Sequence, residues 1–207
     1  APVSAQLQSG NAAQRYDAGT FAPRIMHGVL PMTPVSIRPR RGNRERSRGK
    51  NLSGQTQQVA AAFVTARREA QRLDHYPGPL PLDLSQAYAI QDAALRLDGR
   101  EVAGWKVGRI NPPDDARLGG NRLAGPIFSD SLRFAEAGAI PEMPVFASGF
   151  AAAEAEMLLH VAPGWDGQVP DGDTATIALL DDVRIGIEIA SSPYPGINTD
   201  GPCVTVS

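Results

Sequence analysis

The spacing of apolar positions changes period along the chain. Over 57–72, Val59, Phe63, Ala66 and Ala70 recur at helical spacing behind a candidate cap at Ser53, which predicts a first helix. Pro77, Pro79 and Pro81 interrupt it. A second helix is predicted over 85–96, with Ser85 as its cap and Tyr88, Ala89, Asp92 and Leu95 on neighbouring faces, and Asp98-Gly99-Arg100 reads as a turn. From Glu101 the period shortens to two. Ala103, Trp105 and Val107 share one face of a predicted strand, and Val102, Gly104 and Lys106 share the other. Residues 111–122 read as a loop, and 123–132 as a short apolar run ending near Asp130. Residues 150–161 form a longer apolar run, and Val183, Ile185, Ile187 and Ile189 alternate strictly with Arg184, Gly186, Glu188 and Ala190. Between these two strands, Asp173 is a candidate cap for a helix. After a turn-rich stretch over 191–201, residues 202–207 read as the start of another strand.

These elements predict an α+β chain: a small helical subdomain over 53–100, followed by a strand-rich domain over 101–207. Composition divides the chain further. The net charge of −2 hides a leader, residues 1–50, with nine Arg or Lys against two acids, and a remainder with eleven bases against twenty acids. The leader shows no apolar periodicity. Its run over 38–50 combines like charges with turn-formers, so residues 1–52 are expected to be a disordered basic extension. No aromatic is interleaved among its arginines, so any contact with nucleic acid would be non-specific. No apolar core follows the charges, which argues against a secretory signal, and no amphipathic repeat supports an organelle transit peptide. The chain has no apolar run of the roughly 18 residues that a membrane span needs. One cysteine, Cys203, excludes an intramolecular disulfide and fits a reducing cytoplasm. Three scattered histidines and one cysteine offer no usual zinc spacing.

The chemistry concentrates in the strands. Glu154 and Glu156 stand two apart in the apolar run, so in a strand they project side by side. Two like charges on a half-buried face repel and lose hydration unless something neutralises them. A hard divalent cation does so with oxygen ligands, whereas two glutamates on a solvent-facing strand need nothing. Glu188 adds a third strand carboxylate, flanked on its own face by Gly186 and Ala190, which leave room for something to approach. Lys106, one of only two lysines in the chain, is read by itself as snorkelling to solvent, the alternative being a cavity in which its pKa can fall. Asp130, taken alone, reads as a turn or cap residue. Together the three glutamates, the lysine and the aspartate form a candidate metal and acid/base constellation.

Four segments occur in order: Gly104-Trp-Lys-Val-Gly108, Leu123-Ala-Gly-Pro-Ile-Phe-Ser-Asp130, Ala153-Glu-Ala-Glu156 and Gly186-Ile-Glu-Ile-Ala-Ser-Ser192. Over about residues 57–207 this order resembles the 2-keto-4-pentenoate hydratase group of the fumarylacetoacetate hydrolase superfamily. The resemblance implies a mixed β-roll in which Glu154, Glu156 and Glu188 hold Mg²⁺ or Mn²⁺ and Lys106 and Asp130 line the pocket. Family members continue into further strands, so the roll is expected to be incomplete at Ser207. The implied activity is metal-dependent hydration of 2-hydroxy-2,4-dienoates to 4-hydroxy-2-oxo acids in aromatic catabolism. Lys106 would donate a proton or hold the substrate carboxylate, and Asp130 would shuttle a proton or orient Lys106. His160, four residues from Glu156, is read as structural or supporting. The rivals are a 2-oxo-enedioate decarboxylase, an acylpyruvate hydrolase and an inactive truncated fragment. The expected partners are a small 2-oxo acid and further copies of the chain, with neither membrane nor specific nucleic acid, in the cytoplasm.

Overall fold

The computed structural model describes residues 48–136, 138–168 and 170–207. The predicted leader therefore lies outside the described residues, except for its last few positions. Those belong to the first helix, α1 (Arg48–Arg68), which begins upstream of the expected start and runs through Ser53. Arginine and lysine are good helix formers, so nothing in that stretch forces the helix to begin at the serine. The helix also ends earlier than its apolar spacing suggests. Ala70 takes φ of 51°, and the Gln71 amide donates to the Ala66 carbonyl at 2.9 Å, closing the end in the left-handed manner usually reserved for glycine.

Helix α2 (Leu84–Asp98) is capped by Asp83, not by Ser85 as expected. The Asp83 carboxylate accepts from the Gln86 amide at 2.8 Å, and the Gln86 side chain accepts from the Leu82 amide at 3.2 Å. This reciprocal pair satisfies two donors near the helix start, which a serine inside the first turn does not do. Gly99, at φ 72°, closes the other end, with its amide on the Leu95 carbonyl.

Two antiparallel ribbons follow. Strand β1 (Val102–Arg109) pairs with β2 (Arg122–Phe128), placing Lys106 opposite Gly125. A short helix, α3 (Asp114–Leu118), occupies part of the connection that was read as loop. Strand β3 (Phe150–Val161) pairs with β4 (Leu180–Ser192), and a five-residue helix, α4 (Asp173–Ile177), precedes β4. Its cap position is Gly172, and Asp173 is already inside the helix. Each ribbon is a separate two-stranded sheet among the described residues, so the architecture is α+β with small antiparallel sheets.

The last element corrects the reading of 202–207 as a strand, because it is helix α5 (Pro202–Val206). Gly201, at φ 93°, turns the chain, and Pro202 takes the first helical position, where a missing N–H costs nothing. Cys203, Val204 and Val206 are buried. Their Val-Thr-Val alternation imitates a strand over too few residues to separate the two periods.

The main core joins both ends of the described chain. Val59, Ala60 and Phe63 of α1 and Ile90 and Ala93 of α2 pack with Tyr76, Tyr194, Ile197 and Val204. Tyr76 meets Phe63 and Tyr194 edge to face, with centroids 5.7 and 5.9 Å apart. The boundary expected at residue 100 thus falls within one core, not between two. The buried Gln91 amide donates to the Ala124 carbonyl at 3.0 Å and to the Val206 carbonyl at 3.1 Å, tying α2 to β2 and α5. No described helix is long and apolar enough to cross a membrane.

Candidate metal centre

Strand parity and register together build the acidic site. Glu154 and Glu156 lie on one face of β3, and register sets Glu154 directly opposite Glu188 and Glu156 opposite Gly186. Like charges at facing positions destabilise a ribbon, so this pair needs a compensating charge. The place that a side chain on Gly186 would take, opposite Glu156, is filled by the Leu158 side chain. One carboxylate oxygen from each of Glu154, Glu156 and Glu188 lies within 4.8 Å of the others.

Lys106 crosses from the other ribbon into this cluster. Its ammonium donates to Glu154 at 3.2 Å and also to Glu156 and Glu188. In β1 Trp105 and Val107 are exposed, and Lys106 on the other face is only partly exposed. It does not snorkel to solvent. Burial works against its charge, but the hydrogen bonds to Glu156, Glu188 and Glu154 outweigh that effect and hold its pKa well above the ordinary value. The amine therefore stays protonated through the neutral range.

The donor set fits a hard divalent ion. Three carboxylate oxygens this close can share a centre at the roughly 2.1 Å of a Mg²⁺–oxygen bond once Lys106 Nζ, which lies against all three, swings aside. Charge points the same way. One ammonium leaves two of the three negative charges uncompensated among the described residues, and a divalent ion supplies that amount.

Asp130 is not brought into this cluster. It sits in a 3₁₀ turn (Ser129–Ser131) just past β2, and its carboxylate pairs with Arg100 at 3.4 Å. In the β1–β2 register Phe128 faces Val102, four residues along the strand from Lys106, or roughly 13 Å. Arg100, which the sequence reading missed, takes up both Asp98 and Asp130 and stacks over the Phe128 ring at 3.9 Å. No local pattern announces it, because its partners lie on a helix end and a distant turn. His160 contacts Asp181 through Nδ1 and lies opposite Asp182 in the ribbon, outside the glutamate group.

The arrangement presents three carboxylate oxygens that could hold a cation, with one ammonium beside them that could meet an anionic oxygen ligand. No protein-family model, curated protein or solved structure matches the chain.

Proposed function

We propose that the chain is a divalent-metal-dependent hydratase, of the 2-keto-4-pentenoate hydratase kind, that adds water to 2-hydroxy-2,4-dienoates. The observation that carries this reading is the meeting of Glu154, Glu156 and Glu188 around Lys106 with two negative charges left over. The four ordered motifs supply the substrate class, and with it the proposal that the two ribbons belong to a β-roll of the fumarylacetoacetate hydrolase type. A single, buried Cys203 suits the reducing cytoplasm in which such enzymes would act.

Glu154, Glu156 and Glu188 would hold Mg²⁺ or Mn²⁺. When bound, the ion supplies Lewis-acid polarisation of the 2-oxygen of a 2-oxo acid. Lys106 Nζ, kept protonated by its carboxylate neighbours, is suited to holding the substrate carboxylate by charge and hydrogen bonding. An ammonium held this firmly to its proton is a weak acid, which favours the carboxylate-holding role over proton donation. Asp130, engaged by Arg100, takes no part in this scheme.

A second reading rests on the same contacts. Lys106 already reaches all three carboxylates, so the cluster would serve as an ion-pair clasp between ribbons without a metal. Turnover of 2-hydroxypenta-2,4-dienoate separates the two. The hydratase reading expects a 4-hydroxy-2-oxo acid product in the presence of Mn²⁺ and none with chelator. Lys106→Ala should retain the metal and lose most of the rate. Metal binding without hydration, with CO₂ or a cleaved acid pair from the corresponding substrates, would move the activity to a decarboxylase or an acylpyruvate hydrolase. Absence of metal binding would leave the clasp.

A further inference from the structure

The end of α1 carries charges that the acidic cluster does not use. Arg67, Arg68 and Arg72, together with Arg100, line a cavity of about 740 Å³ that shares no residue with the glutamate group. Small-molecule sites fall in this size range. Asp98 is the one acid among its lining residues, and Arg100 engages it through bonds of 2.8 to 3.1 Å. Arg72 pairs with Asp74 at 2.9 Å and also donates to the Ser148 carbonyl at 2.6 Å. The other two arginines have no carboxylate partner among the described residues. Arg68 donates to the Leu97 and Asp98 carbonyls at 2.8 and 3.0 Å, and Arg67 donates one N–H to the Ser191 carbonyl at 3.3 Å. A guanidinium offers five N–H donors in a fixed fork, so most of those on Arg67 are uncommitted.

The cavity also has an apolar side. Val64, Val145 and Phe146 contribute to its wall. The segment that includes Val145 and Phe146 is fastened in place: Phe146 donates its amide to Ser191 Oγ at 2.9 Å, and Arg72 holds the Ser148 carbonyl. Crowding by neighbouring atoms, and then the charge of Arg100, hold the Arg67 guanidinium below its ordinary pKa. The negative charge of an anion beside Arg67 would offset both effects.

We propose that this cavity is a binding site for a small phosphorylated molecule, with its phosphate held by Arg67 and Arg68 and its less polar body along Val64, Val145 and Phe146. Two guanidinium groups without carboxylate partners match the charge of a phosphate dianion, and their forked donors match its oxygen geometry. The apolar wall favours a phosphate ester over the bare ion.

Calorimetric titration of the chain with phenyl phosphate and with inorganic phosphate, at fixed ionic strength and with chelator present, tests this. The expected result is one phenyl phosphate per chain, bound more tightly than inorganic phosphate. Arg67→Gln should weaken it by about tenfold, as loss of a charge-assisted pair does. Val145→Glu places a carboxylate on a partly exposed part of the wall without disturbing the core, and should weaken binding to a similar degree. Arg184→Gln, on a surface pair elsewhere, should leave it unchanged. Absence of binding, or binding unaltered in both Arg67→Gln and Val145→Glu, would overturn the site. Equal affinity for the two probes would remove the apolar wall from it.

Discussion

Glu154 and Glu188 face each other across a ribbon, and the ammonium of Lys106 lies against both. At this scale, charge balance rather than packing decides what the site is for. Elsewhere single groups also tune stability. Tyr194 donates its hydroxyl to Asp200, and that bond, followed by burial, raises its pKa above the ordinary 10.0. A raised folded-state pKa means that the folded chain holds the proton more tightly than the unfolded chain does. The stabilisation is therefore complete below pH 10 and is lost as pH rises through the folded-state value. Urea denaturation should show a flat midpoint from pH 7 to 9 and a decline above about pH 10, with Tyr194→Phe flattening the decline. An unchanged decline in the variant would assign it to other groups. The parity that aligns Glu154 with Glu156 was legible in the sequence, as was the placing of Glu188 on the less apolar face of its strand. The register that sets Glu188 across from Glu154 was not, because a connection as long as 162–179 does not fix register as a tight turn does. Asp130 misled for a related reason: its partner, Arg100, is a contact of tertiary structure that strand periodicity does not encode.

At the scale of elements, the β3–β4 ribbon has two unlike faces. One carries the glutamates. The other pairs Ala155 with Ile187, Met157 with Ile185 and Leu159 with Val183, an unbroken apolar stripe. Ile185 is 88% exposed, Met157 70% and Ile187 68%, so this stripe is uncovered among the described residues. Apolar surface on this scale binds hydrophobic dyes and promotes association. The double variant Ile185→Lys, Ile187→Lys should lose most of the chain's dye fluorescence and scatter less light, with metal affinity close to wild type. Undiminished fluorescence would place the exposed apolar surface elsewhere. The strict alternation of β4 was readable because a strand of this length repeats its period several times. Helix α5 was not readable, since five residues support either period and its outcome was decided by burial against α2.

For the described part of the molecule as a whole, α1, α2 and the C-terminal segment form one core, with Tyr76 between Phe63 and Tyr194. Sequence order separates these parts widely, which is why a boundary at residue 100 looked natural. Gln91 is the polar link between them, donating to both β2 and α5. Gln91→Ala should cost about 2 kcal/mol, because it leaves two carbonyls without their donor, and urea unfolding should register the loss as one cooperative shift. Separate transitions for the α1–α2 pair and the C-terminal segment would argue against a shared core. The central claim concerns the place where the two ribbons meet, and calorimetric titration of the 207-residue chain with Mn²⁺ tests it most directly. The account expects one ion per chain and an affinity at least about tenfold weaker in Glu188→Gln, since carboxylate count sets the strength of such sites. No binding by the wild-type chain, or the same affinity in the variant, would contradict it.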